Sequence, residues 1–239
     1  MSDAWYEIAS TDHFWIRRRF HVLQKLADSA IRRSKQIAEV GCGNGLVQRS
    51  LEDHYQIGVA GFDLNELALK GSVCRRSQLY YYNVHDRASE FRERFDLIVM
   101  FDVLEHIADD SEFLGAVAFH LAPGGAIVIN VPAVQFLFSD YDRAAGHFRR
   151  YSVPTLQTAI GKSGLRMRQY TYWGAPLLPF LILRKAVLKF RSKEADIIST
   201  GFDPGSSFTN LLMGGIAACE MIPQHVLGTS LMAVVEKPE

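Results

Sequence analysis

Apolar and polar positions alternate between two periods along this chain. HFWIRRRFHVLQKLADSAIRR (13–33) carries apolar residues three and four apart, so the first 35 residues or so are predicted helical. Five short apolar runs follow: QIAEVG (36–41), IGVAGFD (57–63), QLYYYNV (78–84), RFDLIVMFD (94–102) and GAIVINVP (125–132). Helical spacing fills the gaps at about 45–54, 65–75 and 110–121. Strands joined by helical crossovers predict an α/β fold, a parallel sheet with helices on both faces. The glycine turn LAPGGA (121–126) separates the last crossover from its strand.

A helix is predicted near 154–163. SGLRMRQYTYW (163–173) and GTSLMAVVEKP (228–238) read as two more strands, making seven. Between them lie about 55 residues with helical stretches near 177–193 and 207–221, read as an insertion between strands six and seven. With strand six parallel to the first five, this insertion starts at the ligand edge of the sheet. The expected organisation is one domain. It has a helical lid over 1–35, a core over 36–173 and 228–238, and a helical insertion over 174–227.

Composition narrows the function classes. The chain has 239 residues, 48% apolar and 22% charged, with a formal net charge of zero. That balance gives no general attraction to nucleic acid, so no nucleic-acid partner is expected. Cys42, Cys74 and Cys219 are scattered, matching neither a zinc spacing nor a disulfide framework. A reducing, cytoplasmic setting is expected. The richest apolar run, LLPFLIL (177–183), is too short to span a bilayer.

EVGCGNG (39–45) closes the first strand and opens a helix, the setting in which glycines let backbone approach a ligand. Asp63 ends the second strand about 20 residues on, where a carboxylate can take both hydroxyls of a ribose. Glu39 disfavours a pyrophosphate and favours a cationic ligand. The alternative is that Glu39 caps or solvates a strand end. A nucleoside bearing an ammonium or sulfonium, S-adenosylmethionine, answers to both acids. NAD(P)-dependent oxidoreduction is disfavoured by the glycine spacing and by Glu39.

EVGCGNG, GFDLNE, FDLIVMFDVLEHI and LAPGGAIVINVP together resemble the class I S-adenosylmethionine-dependent methyltransferases, more narrowly their type 11 group. HFWIRRRF (13–20) and SDYDRAAGHFRRYS (139–152) are similar to segments in one branch of that group. The resemblance implies a Rossmann-like, seven-stranded, mostly parallel sheet. It places Glu39, Gly41, Cys42 and Gly43 at the methionine portion of the cofactor, Asp63 at the ribose and Leu64 at the adenine. Asn83 stands where many members have Asp, followed by Val84. Phe101 and Asp102 come near the transferred methyl. A catalytically silent cofactor-binding or scaffold protein is the alternative.

Methyl transfer from a sulfonium depends largely on positioning, and a base is needed only for a protonated acceptor. His147 and His106 are the candidate bases, although local packing also explains His106. HIADD (106–110) reads as helix capping, and no metal is expected. Arg149 and Arg150 either grip an anionic acceptor or pair with Asp140 and Asp142 to fasten the loop. Tyr151 follows them on the expected acceptor side. Trp15 is expected to face inward from the lid, and Arg17, Arg18 and Arg19 to form a solvated helix face. The insertion's apolar stretches suit a pocket for a hydrophobic or lipid-linked small molecule, methylated on oxygen or nitrogen. A peripheral membrane contact through 177–190 or a homodimer would also use them.

Overall fold

The computed structural model describes residues 10–188 and 206–238. Helix α1 (Phe14–Arg33) is followed by β1 (Ile37–Val40), α2 (Leu46–Tyr55), β2 (Ala60–Asp63), α3 (Glu66–Lys70) and β3 (Gln78–Tyr81). Then come β4 (Phe95–Phe101), α4 (Asp110–His120), β5 (Leu121–Pro132), α5 (Asp140–Ala144) and α6 (Val153–Lys162). The chain continues through β6 (Arg166–Trp173), α7 (Leu178–Leu188), α8 (Ser207–Ala218) and β7 (Ser230–Glu236).

The seven strands form one sheet in the order β3-β2-β1-β4-β5-β7-β6. The pairs β1–β2, β2–β3, β1–β4 and β4–β5 are parallel. Strand β7 runs antiparallel to both β5 and β6, so β6 points the same way as the first five. Chain order reverses between β1 and β4, and a crevice opens at such a switch point beyond the carboxyl ends of the strands. Period-two alternation sorts β4 onto the two faces. Leu97, Val99 and Phe101 join α1 and α2 residues on one side. Ile98 and Met100 join α4 and α6 residues on the other.

Helix α1 is held by a buried stripe, Val22, Leu23, Leu26, Ala27 and Ile31. Each large apolar side chain so buried contributes roughly 1.5–3 kcal/mol. The His13 side chain caps its amino end by accepting from the Trp15 N–H at 3.1 Å. Two elements differ from their predicted extents. Helix α3 ends at Lys70 rather than near 75, where the Gly71 N–H bonds back to Leu67 and Leu69. Strand β5 begins at Leu121, so the expected glycine turn lies inside it, with Gly124 at φ +71°. The predicted helical residues 189–193 lie outside the described residues.

Glu52 on α2 shows how the glycine-loop helix is fixed. Its carboxylate accepts from the backbone N–H groups of Arg75, Arg76 and Ser77 at 2.8, 2.8 and 2.7 Å. Glu52→Ala leaves these donors unpaired and is expected to destabilise the protein by about 3 kcal/mol, read as a lower urea midpoint. A midpoint unchanged from wild type would show that the clasp carries no weight. Among the described residues no helix is long and apolar enough to cross a membrane.

Candidate functional site

The carboxyl ends of β1, β2 and β4 carry most of the predicted cofactor residues around the switch point, and Asn83 and Val84 follow β3 at the sheet edge. Gly41 and Gly43 take φ +73° and +54°, open to glycine at little cost. A Cβ at Gly41 would lie 2.3 Å from Val103 Cγ2, so that turn also needs glycine for space. The Gly41 N–H bonds to the Phe62 carbonyl at 2.8 Å, and the Gly43 N–H to Asp63 Oδ2 at 2.6 Å. Asp63 also accepts from the Asn65 N–H at 2.8 Å. The two acids that motivated the sequence reading therefore flank one loop.

Glu39 is shielded from solvent, and its carboxylate takes a backbone hydrogen bond from Gln48 in the first turn of α2, so of the alternative reading the capping part stands and the solvated part does not. It is 2% exposed, and its Oε2 has no hydrogen-bond partner among the described residues. Burial pushes its carboxyl well above the usual range, with the Arg19 guanidinium opposing and Asp63 adding to the rise. Elsewhere in the predicted set, Cys42 and Val84 are buried and Leu64 is exposed. Asn83 uses its side chain to cap the turn that follows, accepting from the His85 N–H at 3.0 Å.

The basic run of α1 corrects an expectation. Arg17 is exposed, but Arg18 and Arg19 are 8% and 4% exposed. Each is buried because a carboxylate distant in sequence reaches it. Arg19 donates to Asp102, at the end of β4, and lies over the Phe101 ring. Asp102 sits at φ +55° and also accepts from Asn130 Nδ2 at 2.7 Å. Asn130 Oδ1 accepts in turn from Trp173 Nε1 at 2.8 Å, and the Trp173 ring packs 4.4 Å from the ring of Trp15. Arg18 pairs with Glu220 at 3.4 Å, and that carboxylate caps Gly174 and Ala175 at the end of β6. One polar chain thus ties α1 to the ends of β4, β5 and β6 and to the segment after α8. Arg19 and Asn130, which hold Asp102 in this network, were not singled out from the sequence; a lone asparagine in the apolar run GAIVINVP was the available signal.

Beside Asp102, the turn Leu104–His106 brings His106 against His147, with ring centroids 4.7 Å apart at 85°. Burial and the neighbouring His147 pull the His106 imidazole down to about 4, and its Nε2 is buried without a partner among the described residues. His147 Nδ1 lies 3.0 Å from Asp142 Oδ1. An ionised carboxylate only accepts, so Nδ1 carries the proton and Nε2 is left as the basic nitrogen. Asp142 is fully buried and accepts from Arg150 Nε at 2.8 Å, Arg150 Nη2 at 3.2 Å and the Ser139 N–H at 2.9 Å. Burial works to raise its carboxyl, but the hydrogen bonds from His147 and Arg150 outweigh it and hold it at about 2.

These contacts revise the expected acceptor residues. Arg150 is committed to Asp142, and Tyr151 is 1% exposed, its hydroxyl donating to the Leu104 carbonyl and Asp110. Neither side chain is free to bind an acceptor. Arg149 pairs with Asp110 at 2.9 Å, not with the loop acids, and Asp140 takes Arg143 instead. Partly exposed, Arg149 lines a cleft of about 390 Å³ with Ser152, Thr155 and Lys162. In HIADD, Asp109 caps α4 as predicted. The insertion presents Phe180, Ile182 and Leu183 of α7 and Phe208, Leu211 and Leu212 of α8 to solvent.

A methyltransferase-domain family model matches residues 12–170, more than half of the chain. The chain is 23% identical over 158 residues to the ubiquinone biosynthesis O-methyltransferase of Coxiella burnetii, covering 58% of this chain and 67% of that protein. Its fold is similar to a putative sarcosine dimethylglycine methyltransferase from Galdieria sulphuraria (TM-score 0.63, 13% identity, 93% of this chain and 86% of the other). It is also similar to the N-methyltransferase NodS from Bradyrhizobium japonicum WM9, solved with S-adenosyl-L-homocysteine (TM-score 0.59, 16% identity, 100% and 94% covered).

Proposed function

The chain belongs to the class I S-adenosylmethionine-dependent methyltransferases, and on that premise we propose that it methylates the oxygen of a small-molecule acceptor. The observation that carries the oxygen assignment is the Asp142–His147 pair, which fixes an imidazole with a basic Nε2 beside the end of β4. A hydroxyl must lose its proton as it is methylated, and a positioned imidazole is suited to take it. The O-methyltransferase named among the relatives supports the same choice.

The cofactor supplies an electrophilic methyl on a sulfonium; the chain's own residues bind and orient. The unpartnered Oε2 of Glu39 fits the cationic amino-acid end of that cofactor, and the glycine loop would close on it. Asp63, with lone pairs beyond those used by Gly43 and Asn65, takes the ribose. Leu64 and Asn83 border the adenine. Arg19 is positioned by Asp102 to meet the cofactor's carboxylate. On the acceptor side, His147 takes the proton while His106 lies edge-on to it and orients the hydroxyl. Trp15, packed on the buried Trp173, is the aromatic residue of α1 nearest the network around Asp102. The exposed apolar side chains of α7 and α8 support a hydrophobic or lipid-linked acceptor, and Arg149 an anionic group on it.

His147→Ala is expected to lower turnover by about 10²-fold or more while leaving S-adenosylmethionine affinity unchanged. The assay follows labelled methyl from the cofactor into a metabolite extract. An O-methyl ether or ester among the labelled products supports the proposal. Label confined to nitrogen, or undiminished in the variant, removes it.

A further inference from the structure

We propose that Glu105, His106 and His147 form a binding site for one divalent transition-metal ion of the zinc type. Each offers a ligand atom, and these atoms all lie within 4.8 Å of one another. Bonds of about 2.0–2.2 Å from a shared ion would bring them to roughly 3.4 Å apart, a small side-chain adjustment. One carboxylate and two imidazoles are a donor set for zinc, iron(II) or cobalt(II). Magnesium and calcium favour all-oxygen sites.

Two independent features point to a ligand. Glu105 is 1% exposed and its Oε2 has no partner, and His106 Nε2 is buried in the same condition. Unsatisfied buried polar atoms are unfavourable, and a cation between them satisfies both. The outer contacts are those that metal-binding imidazoles need. His147 gives its Nδ1–H to Asp142, which Arg150 fastens. The Gly146 backbone hydrogen-bonds the His106 ring. Both rings are therefore oriented from behind, with one nitrogen left for an ion. Arg19 and Arg150 are the cations near Glu105, and Asp102 is the neighbouring acid. Three protein ligands leave a coordination position open.

The consequence for catalysis rests on the acceptor assignment above. The acceptor oxygen would occupy the open coordination position, where the ion would lower the hydroxyl's pKa so that its proton leaves to solvent, and His147 would serve as ligand in place of base. The binding claim itself stands apart from activity.

The test is titration of the chelator-stripped full chain with cobalt(II) alone. The expected result is a visible ligand-field band that saturates at one equivalent and is displaced by zinc. Glu105→Gln, His106→Ala and His147→Ala should each weaken cobalt binding at least 100-fold. Asp142→Asn, acting through His147, should weaken it about 10-fold or more. Retained S-adenosylmethionine binding shows that each variant is folded. Absence of the band in wild type, or its persistence in the histidine variants, overturns the site. Methyl transfer without a cobalt band removes the metal and leaves the proposed function. A band that meets every expectation, without methyl transfer, keeps the metal site and removes that function.

Discussion

Arg150→Ala is expected to destabilise the protein by about 3–5 kcal/mol. Asp142 has no exposed surface, and Arg150 supplies two of its hydrogen bonds. Removing only the arginine leaves a buried carboxylate short of its countercharge. Removing both partners does not, so Arg150→Met with Asp142→Leu should cost less than Arg150→Ala alone. The pair also sets a pH dependence. The Asp142 carboxyl is held at about 2, below its ordinary value near 3.9. Its contribution is therefore full above about pH 4 and lost as pH falls through 2. Urea melts at pH 7 check the variants, and a loss under about 1 kcal/mol for Arg150→Ala would contradict the account. Because Asp142 orients His147, Arg150 reaches the acceptor side without touching the acceptor.

Glu39→Gln is expected to weaken S-adenosylmethionine about 10- to 100-fold while leaving the fold intact. The size is that of a hydrogen bond to a charged group, about 1.5–3 kcal/mol. Glutamine keeps the shape of the side chain and removes the charge. The folded protein should tolerate the change, because burial already works against that charge in the absence of ligand. A cationic ligand reverses the balance by favouring the ionised carboxylate. Binding is then linked to release of the proton from Glu39, and affinity rises with pH until the free protein's carboxyl is ionised.

Much of the sheet was legible because its strands are apolar runs of the right length with helical spacing between them. Residues 94–102 predicted β4 almost to the residue, and its two faces follow the alternation of Leu97, Val99 and Phe101 with Ile98 and Met100. The glycine loop was legible because its residues are local to one turn. Long-range pairing was not. Nothing near Arg18 or Arg19 announces Glu220 or Asp102, 202 and 83 residues away, so a buried ion-pairing face read as a solvated one. Arg149 and Arg150 show the same limit. Their spacing leaves both a choice between acceptor and loop acids, and only packing sends Arg150 to Asp142 and Arg149 to Asp110. His106 and His147 were each visible as single candidates. Their meeting beside Glu105, whose Oε2 like His106 Nε2 is unpartnered, depends on where the loop after β5 returns to the end of β4.

The central claim is that a buried acid selects a cationic cofactor. Calorimetric titration of S-adenosylmethionine in two buffers of different ionisation enthalpy tests it most directly. Wild type should release a fraction of a proton per cofactor bound, and its affinity should rise with pH. Glu39→Gln should bind more weakly and release measurably fewer protons. Equal affinity and equal proton release in the two proteins would contradict the claim.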